Sequence, residues 1–210
     1  VVQICQIGRK NMTADELKRL EEGAELALQA VDDMYGWATK FLEQVYDIGK
    51  ESRLLLDEMT SQPSIPKGAG YGRILSLPPW RVNFAILSNG DTKGQKLNLR
   101  AAKTLPQKVV WFGVAFKVAG KWCPKLISGV FRNLKESRSI QKDKRQLLGD
   151  LIRLLLEKDE VLRKPKEQIE GNWLRGDYEI DIQPLLGAVP EDQLDEVAQA
   201  TVERMIKWAS

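Results

Sequence analysis

KVVWFGVAFKV, residues 108–118, decides the fold. Alternate side chains of a strand point to opposite faces. Here both sets are apolar: Val110, Phe112, Val114 and Phe116 form one, Val109, Trp111 and Ala115 the other. Such a stretch reads as a central strand covered on both faces, with Trp111 a core residue. Outward from it, Ala119, Gly120 and Lys121 turn the chain into a second strand over 122–132, where Pro124 marks an edge or a bulge. Upstream, 96–101 alternates: Leu97, Leu99 and Ala101 inward, Lys96, Asn98 and Arg100 outward. Residues 81–87 place Val82, Phe84 and Ile86 on one face, with a turn at Asn89 and Gly90. The expectation is an antiparallel meander of about four strands.

Helices flank this sheet. Thr13 followed three residues later by Glu16 is a capping-box pattern. From there Leu17, Leu20, Ala24, Ala27, Val31, Met34, Ala38, Phe41, Val45 and Ile48 recur at gaps of three and four, and the seam runs on past a polar Ser52 to Leu55 and Met59. This predicts one long helix, or a hairpin divided at Gly36 or Gly49, with residues 17–59 able to pack on the sheet or to form a homo-oligomer. A Pro-, Gly- and Ser-rich linker follows over 61–72. Its Gly68, Gly70 and Gly72 lack the ending of a phosphate-binding loop. A helix is expected over 135–164, a short strand over 178–182, and a last helix from Pro190 through Leu194, Val197, Thr201, Met205 and Trp208. The fold class is α+β: a helical region to residue 60, the linker, and a core over 73–210.

With 43% apolar residues the 210-residue chain can fill a core, and its apolar runs are too short for a membrane span. Two cysteines, Cys5 and Cys123, make no disulfide framework and suit a reducing, cytoplasmic compartment. Histidine is absent, which excludes Ser-His and Cys-His nucleophilic arrangements within this chain and leaves a zinc site only cysteines and carboxylates. No cofactor is implied.

A net charge of +3 hides strong segregation: 17 basic against 3 acidic residues over 61–145, with acidic excesses on either side. Such asymmetry points to a polyanion, nucleic acid first among them. The candidate contacts are Arg81, Lys96, Asn98, Arg100, Lys103, Lys108, Lys117, Lys121, Lys125, Arg132, Lys135 and Arg138, with Asn83 beside them and Trp80, Trp111 and Trp122 near enough to consider for stacking. The opposing expectation is that acidic elements of the same chain neutralise these cations. Two further readings compete: a scaffold that uses the heptad helix to hold partners, and a magnesium-dependent nuclease built on Asp91. Asp177, Glu179 and Asp181 put three carboxylates on one strand face, as a solvated edge strand or a cation site would.

Overall fold

The structure is a computed structural model that describes residues 13–57, 60–61, 80–88, 95–137, 143–157, 166–184 and 193–210. The proposed turn at Asn89 and Gly90, Asp91, Arg138, the glycines of the linker and Pro190 lie outside them. Two compact units are present, 1–39 and 40–210.

The capping box forms as expected. The Thr13 N–H donates to Glu16 Oε2 at 2.8 Å, and the Glu16 N–H donates to Thr13 Oγ1 at 3.3 Å. Helix α1, Ala14–Glu51, then runs unbroken through Gly36 and Gly49 and contributes to both units. It ends where the Ser52 hydroxyl and N–H both donate to the Ile48 carbonyl, at 2.9 and 3.1 Å. A side chain that satisfies the last carbonyls in this way competes with helix propagation. Leu54–Leu56, read from the seam as helical, is instead strand β1.

The second unit holds an antiparallel sheet in the order β1, β3, β4, β5, β7, β6. Its strands are β1, β3 (Trp80–Leu87), β4 (Val109–Val118), β5 (Lys121–Glu136), β6 (Lys166–Glu170) and β7 (Leu174–Pro184). A two-residue β2, Thr60–Ser61, pairs with β3 beside β1. Among the described residues six strands in sheet order, with β2 beside them, therefore stand where about four were expected, and 96–101 is not among them. There the Ala101 N–H donates to Asn98 Oδ1 at 3.0 Å, a local bond that replaces a ladder bond and turns the chain. Leu99 still reaches the core, whereas Ala101, expected inward, is exposed. The helix expected from residue 135 begins later, at α2 (Lys144–Glu157), because β5 continues through Glu136.

β4 is buried on both faces except at Lys117. On one face Trp80, Val82, Phe84, Trp111, Ile127, Phe131 and Tyr178 pack with Leu147, Leu148, Leu151 and Leu155 of α2. On the other lie Val110, Phe112, Val114, Leu126 and Val130, with α3 (Leu194–Ala209) as cover, and within α1 Phe41, Leu42 and Val45 are buried as well. Gln44 Nε2 donates to Asp195 Oδ1 at 2.6 Å between those two helices. The inward residues of α3 are Leu194, Ala198, Val202 and Met205, so Val197 and Thr201 flank its stripe instead of centring it.

Glycine enters where the sheet has no room. A Cβ on Gly129 would sit 2.5 Å from Trp111 Cζ2, so the indole occupies the space opposite that residue. The β4–β5 turn is the two-residue connection Ala119-Gly120, with φ of 50° and 77° as a type I′ turn needs. Its Ala119 N–H donates to the Leu156 carbonyl at 2.7 Å, satisfying one of the carbonyls left open at the end of α2. Pro124 falls in the β4–β5 register shift between the Lys117–Trp122 and Ala115–Lys125 pairs, a stretch that demands no ladder bond from it. Among the described residues no helix is long and apolar enough to cross a membrane.

A Cβ on Gly36 would meet nothing within 4 Å. Gly36→Ala is therefore expected to stabilise α1 by about 1 kcal/mol. Gly129→Ala is expected to cost about 1–3 kcal/mol by displacing Trp111. Far-UV circular dichroism for the first and urea unfolding for the second check these opposite signs.

Candidate anion-binding cleft

The cations singled out in the sequence do not converge on one sheet face. The β4–β5 hairpin sends Lys108, Arg132 and Lys135 to one end and Lys117, Lys121 and Lys125 to the other, nine strand rises or about 30 Å away. Asn83 does not face solvent. It is 2% exposed inside the sheet, and its Nδ2 donates to the Asp57 carbonyl at 3.2 Å. Arg81 is half-buried in β3, and Trp80 and Trp111 are core residues, so neither ring offers a stacking surface.

Several of the cations have partners within the chain. Arg132 Nη1 lies 2.9 Å from Glu179 Oε2. Arg100 Nε is 3.9 Å from Asp143 Oδ2, at the start of α2, but with its side chain 75% exposed it gains little from that pair. Lys108 Nζ donates to the Ala209 carbonyl at 3.1 Å, where the dipole of α3 is negative. Lys144, only 4% exposed, places Nζ 2.5 Å from Glu136 Oε1. Lys96, Lys103, Lys121 and Lys135 are exposed.

The three carboxylates of β7 share one face, but not as an edge strand, since β7 pairs with β5 on one side and with β6 on the other. Asp181 is held by Arg204 and by Gln183. Glu179 accepts from Trp208 Nε1 at 3.0 Å as well as from Arg132. Asp177 Oδ2 accepts from Asn133 Nδ2 at 2.6 Å. Among the described residues no group of three potential metal ligands exists, and Asp91 lies outside them.

The contacts of α3 run along β7 from Asp181 to Glu179 and stop, because the helix ends at Ala209. The next rows of that sheet face are open. They border a cavity of about 620 Å³ lined by Asn133, Lys135, Gln168, Glu170, Arg175 and Asp177, with Gly176 and Ile169 beneath. This volume is within the range of small-ligand sites.

A β-bulge builds this cleft. Arg132 pairs with Asp177, and Lys135 with Arg175, so three steps on β5 match two on β7. In a regular strand residues three apart point to opposite faces; the extra residue brings Arg132 and Lys135 to the same one. Asn133 takes up the irregularity with a φ of 53°, a left-handed conformation that asparagine tolerates. Leu134 turns inward to the core. Gly176 makes the fit possible, since a Cβ there would lie 2.7 Å from the Arg132 carbonyl.

The result is two rows across three strands: Arg132, Asp177 and Gln168, then Lys135, Arg175 and Glu170. Lys135 and Arg175 stand directly opposite one another, a like-charge arrangement that costs stability in a sheet. Neither forms an ion pair among the described residues. Between them they present a guanidinium fork and an ammonium, with the amides of Asn133 and Gln168 nearby, a donor set suited to phosphate or carboxylate. Glu170, at the far side of the row, stands directly opposite Arg175 on the neighbouring strand, and Asp177 also lines the cleft. Sequence reasoning reached Arg132 and Lys135 but missed Arg175, Gln168 and Asn133, which come together only through the bulge and the β6–β7 pairing. An asparagine inside a strand pattern was the one local sign of it.

No protein-family model, no curated protein and no solved structure matches the chain.

Gly176→Ala is expected to lower stability by about 1–3 kcal/mol, because the bulge carbonyl cannot retreat without disturbing Leu134. An unchanged urea midpoint would mean that β5 does not close over residue 176.

Proposed function

We propose that this protein is a non-enzymatic binder of polyanions, nucleic acid first among them, which holds a phosphate in the cleft between β5, β7 and β6. The observation that supports this reading is the bulge: it turns Lys135 onto the face of Arg175, where two opposed cations without ion-pair partners meet an open cavity. A bound phosphate relieves their repulsion, and Arg175 gives it a bidentate partner. The exposed Lys96, Lys103 and Lys121 add attraction from a distance. Among the described residues that line the cleft none is aromatic, so the contact proposed is with the backbone of a nucleic acid and carries no base preference.

The test is fluorescence anisotropy of a labelled single-stranded oligonucleotide titrated with the protein at low and moderate salt. Wild-type affinity should fall steeply with salt. The Lys135→Glu, Arg175→Glu double variant should bind at least tenfold more weakly, with a salt slope smaller by about 0.7 for the one lost phosphate. Weakening by Lys96→Glu and Lys103→Glu but not by the cleft variant would move the site to the 95–108 segment. No binding at low salt would remove the polyanion reading.

A further inference from the structure

Within the first unit α1 carries an apolar seam that no other described residue covers. Leu17 and Leu20 are 49% and 59% exposed, and Ala24 and Ala27 continue the same stripe on the surface. Farther along the same heptad register, Phe41, Leu42 and Val45 are fully buried, so the repeat is one that packs against other elements wherever these are present. The homo-oligomer surface expected over 17–59 is thereby reduced to its first part, since Phe41, Val45, Leu54 and Leu56 are core residues of the second unit.

Charge decides what covers the remainder. Residues 14–39 hold seven acidic and two basic side chains. With Leu17 and Leu20 as the seam pair, Glu16 and Glu21 are the flanking positions that face a partner helix. In a parallel pair of identical helices Glu16 of one copy would face Glu21 of the other, and in either orientation two strongly acidic stretches would be laid side by side. A second copy is therefore selected against. We propose that this face of α1 docks an amphipathic helix of another protein, one with aliphatic residues on its seam and Lys or Arg at the flanks. The partner's cations then meet Glu16, Glu21 and the wider acidic surface while its apolar stripe covers Leu17 and Leu20. This inference is independent of the cleft.

Two designed helical peptides with leucine seams, one with lysine and one with glutamate at the flanking positions, serve as probes for the full chain. The lysine peptide should bind at least tenfold more tightly than the glutamate peptide, and less tightly as salt rises. The Leu17→Asp, Leu20→Asp variant should lose this binding while its circular dichroism and urea midpoint stay unchanged, because both leucines are exposed. Glu21→Lys should narrow the preference. Equal binding of the two peptides, or binding of neither, would overturn the proposal. So would a stable dimer in sedimentation equilibrium that the leucine variant disperses, which would make a second copy the occupant.

Discussion

Everything in the second unit follows from burying β4 on both faces. A strand with Trp111 on one side and Phe112 on the other cannot lie on the surface of anything, so each face needs its own cover. α2 supplies one and α3 the other. Antiparallel neighbours supply the hydrogen bonds on either side, which extends the sheet to β3 and β5 and then outward to β1 and β6. The bulk of the aromatics is accommodated by removing side chains elsewhere: Gly129 makes room for Trp111, and Gly113 admits the Arg81 carbonyl, which would lie 2.0 Å from a Cβ. The edge of the cover matters as much as its centre. Because α3 ends one row short of Asp177, the polar face of the β5–β7–β6 corner stays open, and the cleft is a part of the sheet that no described helix reaches.

Charge that is segregated along the chain is redistributed by the fold. A hairpin places residues close in sequence at opposite ends of two strands, so the run of cations from Lys108 to Lys125 is split in two by the geometry of β4 and β5. Among the described residues, acids near in sequence and on the next strand meet the basic segment. They are Glu136 and Asp143, within or just after the basic run, and Glu179 on the neighbouring strand. The buried Lys144–Glu136 pair carries the largest energetic consequence of these, since removing either partner would strand a charge away from water, whereas the exposed Arg100 pair is weakly held.

The legible parts of this protein were those written within a few residues of one another. The capping box at Thr13, the doubly buried pattern of β4, the turn at Ala119-Gly120 and the α+β class all rest on local spacing, and all are present. Local spacing also misled. Leu55 continues a heptad that the Ser52 cap has already ended, and the alternation over 96–101 belongs to a turn that Asn98 ties to its own backbone. The short edge strand β1 and the polar β6 carry too little pattern to be recognised alone. They become strands because β3 and β7 offer them a ladder.

The cleft was half legible for a related reason. Strand parity assigns Arg132 and Lys135 to opposite faces, and one inserted residue reverses that assignment for everything beyond it. The bulge accepts a left-handed Asn133 and an opposed pair of cations, neither of which the packing of Leu134 into the core requires by itself. A regular β5 would have put Lys135 on the face covered by α2, where a second ammonium beside the buried Lys144 would be costly without a carboxylate of its own. The irregularity resolves that conflict by keeping Leu134 in the core and Lys135 in solvent. The same displacement sets the lysine directly beside Arg175 at the border of an open cavity that Glu170 and Asp177 also line, so a solution to a packing problem also creates the opposed pair of cations from which binding is argued.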